Sequence, residues 1–117
     1  MDLEMVQEYC LKKKGVTESY PFDEETPVYK VMNKMFCLSN LTPPHFINIK
    51  CDPEKAIELR EEYEQIKTGW HMNKKYWNSI YFEGNATDQD IFGWIDDSYN
   101  LVVKGLKKSE KTELEKM

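Results

Sequence analysis

Arginine is nearly missing from this chain. Arg60 is the single arginine among 16 basic residues, and it lies in an acidic stretch, so the bidentate guanine contact favoured in sequence-specific DNA reading has no obvious donor elsewhere. Cysteine is scarce and badly spaced for metal or disulfide work. Cys10, Cys37 and Cys51 are an odd number without a CxxC pair, and His45 and His71 sit near no cysteine pair, which argues against a zinc site and for three small buried hydrophobes. Long apolar runs are absent as well. Nothing approaches the ~20 residues needed to span a membrane, and the N-terminus carries Asp2 and Glu4 where a signal peptide would be basic and then apolar. The sequence reads as cytoplasmic, without membrane contact. No internal repeat and no linker divides it.

What is present is enough for one packed domain. The 117 residues include 13% aromatics and 32% charged residues, which suits a single two-layer core under a charged surface. Asp2 can cap a first helix with Leu3, Val6, Cys10 and Leu11 at helical spacing, Lys12, Lys13 and Lys14 in its last turn and Gly15 just beyond. Glu18 to Phe22, interrupted by Pro21, reads as an edge strand or an extended entry segment. Val28–Met32 and Lys34–Ser39 read as a hairpin turning at Asn33-Lys34, followed by a strand over His45–Cys51 in which Phe46, Asn48 and Lys50 alternate with Ile47, Ile49 and Cys51. Asp52-Pro53 starts a second helix carrying Ala56, Leu59, Tyr63 and Ile66 on one face. Two short strands, Gly69–Met72 and Tyr76–Glu83, are expected around Asn73-Lys74-Lys75. Thr87 and Asp90 open a third helix with Ile91, Trp94, Ile95, Ser98, Leu101 and Val102 as its buried stripe, ended by Gly105. The order α-β-β-β(-β)-α-β-β-α predicts an α+β two-layer sandwich: a mostly antiparallel sheet with the helices on one face. The domain spans 1–106, and the charged tail 107–117 is expected to fray.

The run from Lys67 to Phe82 stands apart. It holds two of the three tryptophans and three lysines with no acid, in a chain of net charge -5. Residues 26–51 sum to +3 and 67–82 to +3, whereas 1–25, 52–66 and 83–117 sum to -4, -4 and -3. If the helices cover one sheet face, the other is basic on an acidic body, an asymmetry that steers anions to one side. Edge protection by lysine is the competing reading. Trp70, Tyr76, Trp77 and Tyr81 are of the type that stacks bases, and also of the type that fills a small core. His71 beside Asn73, Lys74 and Lys75 mixes acid/base and anion-stabilising types, but no nucleophile or second carboxylate accompanies them, and hairpin backbone contacts explain His71 and Asn73 better.

Tyr20-Pro21-Phe22, Lys50-Cys51-Asp52-Pro53, the run His71-Met72-Asn73-Lys74-Lys75-Tyr76-Trp77-Asn78 and Ser98-Tyr99-Asn100-Leu101-Val102 together resemble the MmcQ/YjbR family of small bacterial proteins, from the first helix to about Leu106. The resemblance implies a CyaY (frataxin)-like fold and a DNA-binding role through a double-wing arrangement of two β-hairpins, here those around Asn33-Lys34 and Asn73-Lys74-Lys75. The family often has histidine where this chain has Tyr76, which removes a titratable group. Iron binding of the frataxin kind rests on no matched residue.

The expectation is therefore a non-enzymatic module that binds DNA weakly and mainly through its backbone. Lys30, Lys34, Lys67, Trp70, His71, Asn73, Lys74, Lys75 and Trp77 are its candidate contacts, with no cofactor and no metal. The alternative is an adaptor for a protein or small ligand, with an aromatic and basic groove.

Overall fold

The computed structural model describes residues 1–117. Along the chain run α1 (Leu3–Leu11), β1 (Val16–Ser19), β2 (Val28–Val31), β3 (Lys34–Ser39), β4 (Phe46–Lys50), α2 (Pro53–Glu62), β5 (Ile66–Thr68), β6 (Trp77–Tyr81), α3 (Asp88–Lys104) and α4 (Lys108–Glu115). The strands form one antiparallel sheet in the order β1-β2-β3-β4-β6-β5. This is the α+β architecture expected from the sequence. β1 to β4 form a meander, and β6 inserts between β4 and β5.

Period-two alternation decides what each sheet face meets. Tyr29, Val31, Ile47, Ile49, Ile66 and Ile80 join Val6, Cys10, Ile91, Ile95 and Val102 of the helices in the main core. Val28, Leu38 and Trp77 form a second, smaller cluster, with Met35 and Met72 packed against it. Phe36 is the extra residue of a bulge, since Tyr29 pairs with Cys37 while Lys30 pairs with Met35. Ser98 of α3 meets this irregularity: its hydroxyl donates to Phe36 O and accepts from Lys50 N at 2.8 Å. A serine in an apolar stripe thus supplies what the sheet ladder lacks there.

Local chemistry accounts for the element ends. Asp2 accepts from Met5 N at 2.8 Å, and Thr87 and Asp90 form a reciprocal capping box. Asp52 precedes Pro53 but its side chain makes no capping bond. β2 and β3 join through Met32 and Asn33, at φ 49° and 66°, the left-handed pair of a type I′ hairpin turn. Asparagine tolerates that region. Methionine is there because its side chain packs on the main core.

Five boundaries depart from expectation. α1 stops at Leu11, so the lysine triplet lies beyond it, and Lys13 pairs with Asp96 of α3 while lying over the Tyr9 and Tyr99 rings. β1 ends at Ser19, before Pro21. α2 ends at Glu62, with Tyr63 already extended at φ -122°, and Ile66 belongs to β5. The strand expected over Gly69–Met72 is instead part of a loop, residues 69–76. The tail expected to fray contains α4, whose Leu114 is buried together with Leu106.

All three cysteines are free and buried. Burial pushes the Cys51 thiol up to about 11, with Asp97 adding to the rise. The thiol of Cys37 is raised well above its ordinary value by its hydrogen bond to Cys10 and by burial.

Candidate functional site

The turn between β2 and β3 and the loop between β5 and β6 leave the same end of the sheet, because Cys37 pairs with Ile49 and Ile49 with Asn78. Only β4 separates β3 from β6, which places those strands two spacings, about 10 Å, apart. Lys30 of β2, Lys34 of β3 and Lys50 of β4 line one groove at this end, of about 420 Å³, with Asn33, Met35, Leu101, Val102 and Gly105. No carboxylate lines it. The ion pairs of the molecule are Met1 with Asp88 and Lys13 with Asp96, so these three lysines, Lys34 exposed and Lys30 and Lys50 partly so, have no paired carboxylate.

The loop 69–76 is built in two halves. Gly69 N donates to Trp77 O at 2.9 Å, and a Cβ on Gly69 would come within 2.7 Å of Trp77 Cβ; only glycine permits that approach. The chain then doubles back over the sheet face opposite α3. Trp70 N donates to Ser79 Oγ at 2.9 Å, and Asn48 Nδ2 donates to Trp70 O at 3.0 Å. Ser79 Oγ in turn donates to Asn48 Oδ1. His71, at φ 58°, makes the bend. Asn73 organises the second half: its side chain accepts from Lys75 N at 3.0 Å and its carbonyl from Tyr76 N and Trp77 N. Tyr76 O accepts from Cys51 N at 2.7 Å, anchoring Lys75 and Tyr76 at the Lys50 end of the sheet. Lys75 Nζ lies 5.5 Å over the Tyr76 ring.

The nine predicted contact residues therefore divide. Lys30, Lys34, Lys74 and Lys75, with Asn73, belong to the end from which both turns emerge. Trp70 and His71 lie over the sheet, where the Trp70 ring meets Phe46 edge to face at 6.0 Å. Lys67 lines a separate open depression with Pro43, His45, Glu64 and Tyr81. Trp77 is withdrawn from any stacking role, since it is only 8% exposed inside the Val28–Leu38 cluster. Aromatic and basic character, expected in one groove, occupies two.

The second groove escaped the sequence reading. Phe22, Asp23 and Thr26 of the β1–β2 connection face Trp70, His71 and Met72 across a floor of Leu38, Phe46 and Asn48, enclosing about 380 Å³ with Ser39 and Asn40 at the side. Asp23 is held below its ordinary pKa by the backbone N–H of Glu25, at 2.8 Å, and by Thr26. No group of three or more His, Cys, Asp or Glu side chains converges to hold a metal ion, and no helix is long and apolar enough to cross a membrane.

Comparison with known proteins places this geometry in a lineage. The chain is 38% identical over 109 residues, 92% of its length and 89% of the relative's, to "Uncharacterized protein YbdF" of Escherichia coli O157:H7. It is 26% identical over 112 residues, 95% of both chains, to "Uncharacterized protein YjbR" of Escherichia coli K12. Among solved structures, the Deinococcus radiodurans protein DR2400, of domain family DUF419, superposes with TM-score 0.88 at 33% identity, over 96% of this chain and 86% of that one. A Pseudomonas syringae protein shares the fold at TM-score 0.76 and 22% identity, over 86% and 98% of the two chains. The YjbR family model matches residues 11–101, from the end of α1 through most of α3, and the chain belongs to the YjbR family.

Proposed function

We propose that this protein is a non-enzymatic, cytoplasmic binding module that engages the phosphate backbone of DNA through the basic end of its sheet. One observation carries the reading: lysines from three successive strands, Lys30, Lys34 and Lys50, line a groove that no carboxylate enters and form no ion pair. Lys74 and Lys75 extend the same positive end from the neighbouring loop. The two turns are the two wings, separated by β4 alone.

The chemistry favours contact without base reading. Lysine is a point charge for phosphate, whereas the planar fork that reads guanine belongs to arginine. Arg60 is committed to the fold, donating to Asn78 Oδ1 at 2.7 Å. Binding is accordingly weak, steeply salt-dependent and indifferent to sequence.

The test is a titration of duplex DNA at several salt concentrations. Three neutralised phosphates give a slope of log K against log salt near -2.7, from about 0.9 per phosphate. Salt-independent binding, or none at ~50 mM salt where backbone contacts are strong, would overturn the proposal.

A further inference from the structure

The groove beneath Trp70 is built as a receptor, and the signs lie in what holds it. Trp70 is 57% exposed and Phe22 61% exposed, both large aromatics left in solvent on opposite sides of one cleft. Exposed aromatics are ordinary when scattered and informative when paired across a concavity. The backbone beneath Trp70 is fixed. Asn48, 5% exposed, and Ser79, 1% exposed, direct their side chains to the carbonyl and amide of that one residue. A buried polar network is costly unless fully satisfied. Here it is satisfied by immobilising the backbone of an exposed tryptophan. The following residue, His71, holds a left-handed conformation uncommon for a non-glycine side chain, so the Trp70–His71 bend is maintained against local preference.

Charge selects the occupant. Asp23 is the one acidic side chain lining the cleft, and no lysine or arginine lines it. His71 is the other titratable group present. Asp23 Oδ1 accepts from Glu25 N, and Thr26 also bonds the carboxylate, which keeps it ionised at the cleft wall. The Trp70 ring stands edge to face on the largely buried Phe46 of the floor, 85° apart, with Phe22 on the far side. Negative π-faces and a carboxylate together attract a weakly hydrated cation.

We infer that the Trp70–Phe22–Phe46 cleft is a binding site for a small organic cation, of the methylated-ammonium class, with Asp23 as its counter-charge. This site is separate from the lysine groove and of opposite polarity, so the two fail or stand independently.

The probe is benzyltrimethylammonium chloride, titrated into the isotope-labelled full chain and followed by NMR through the Trp70 indole N–H, which is identified by its disappearance in Trp70→Phe. Benzyl alcohol and benzoate are run in parallel. The cation is expected to give saturable shifts at Trp70 and at the amides of 22–26 and 69–72, with affinity at least about fivefold above either control. Asp23→Asn should weaken it about threefold or more, and Trp70→Ala should abolish it. Both side chains are exposed, and unchanged spectra elsewhere verify that the variants fold. Equal binding of benzoate or benzyl alcohol, unchanged affinity in Asp23→Asn, or shifts that stay linear or fall outside the cleft would each overturn the assignment.

Discussion

Asn48 reaches from the middle of the sheet to the carbonyl of Trp70, 3.0 Å away in the β5–β6 loop. That contact turns a flexible connection into a fixed wall. Asn48→Ala removes it and also strips a buried partner from Ser79 Oγ. The expected cost is about 1–3 kcal/mol, the penalty of leaving a buried polar group unsatisfied. Denaturant unfolding checks the energy, and faster amide exchange at residues 70–72 with little change in α3 checks the location.

The two neighbouring tryptophans of the run should behave as opposites. Trp77→Ala opens the Val28–Leu38 cluster and is expected to lose about 3–5 kcal/mol. Trp70→Ala is expected to stay within about 0.5 kcal/mol of the parent. Equal effects in thermal or denaturant melts would contradict the burial seen here.

Charge reversal separates the basic end from lysines elsewhere. Lys34→Glu or Lys30→Glu should lower the salt slope of duplex binding by about 1 each. Lys67→Glu, across the sheet face, should leave it within error. A uniform response to all three would indicate a diffuse charge effect in place of a groove.

Gly15 sits at φ 74°, and a Cβ there would lie 2.5 Å from Leu114 Cδ1. Gly15→Ala should therefore cost more than the roughly 1 kcal/mol of left-handed strain alone, and should weaken the docking of α4. A melting curve of Gly15→Ala beside Leu114→Ala separates the two contributions.

Alkaline pH should destabilise the fold in a defined way. Burial first, then Asp96, which accepts from the phenol at 2.8 Å, raise the pKa of Tyr9 to about 12. The folded state then holds this proton more tightly than the unfolded chain, whose phenol titrates near 10. Stability from this group is complete below about pH 10 and is lost as pH rises towards 12. Tyr29, raised by burial and by Glu18, acts in the same sense. Tyr9→Phe should flatten, without abolishing, the fall in melting temperature above pH 10.

Much of the frame was legible because its determinants are local. β3 runs over Lys34–Ser39 as its pattern indicates, and the Thr87–Asp90 box and Gly105 bracket α3. What escaped depends on distant partners. Tyr63 and Ile66 continue the helical spacing of α2, but Ile66 pairs with Ile80 and Gln65 bonds Tyr81 O at 2.7 Å, so the sheet wins over periodicity. The aromatic alternation after Gly69 mimics a strand, yet Asn48 and Ser79 claim its backbone. Of the candidate contacts, the lysines at the turns followed from charge alone. Trp77 was drawn into the core by Val28 and Leu38, which no neighbouring residue announces. The second groove needs Phe22 and Trp70 facing each other across it, and their separation in sequence conceals it.

The strand order carries a consequence for synthesis. β6 lies between β4 and β5, although both precede it in the chain. As the polypeptide leaves the ribosome, the β1–β4 meander and α2 can assemble while the free edge of β4 remains unpaired and β5 has no partner. The long-range closure that completes the sheet waits for Trp77–Tyr81 to emerge. Until then the exposed edge of Phe46–Lys50 is open to pairing with another chain. Chaperone dependence and aggregation during expression should therefore respond most strongly to changes in β6.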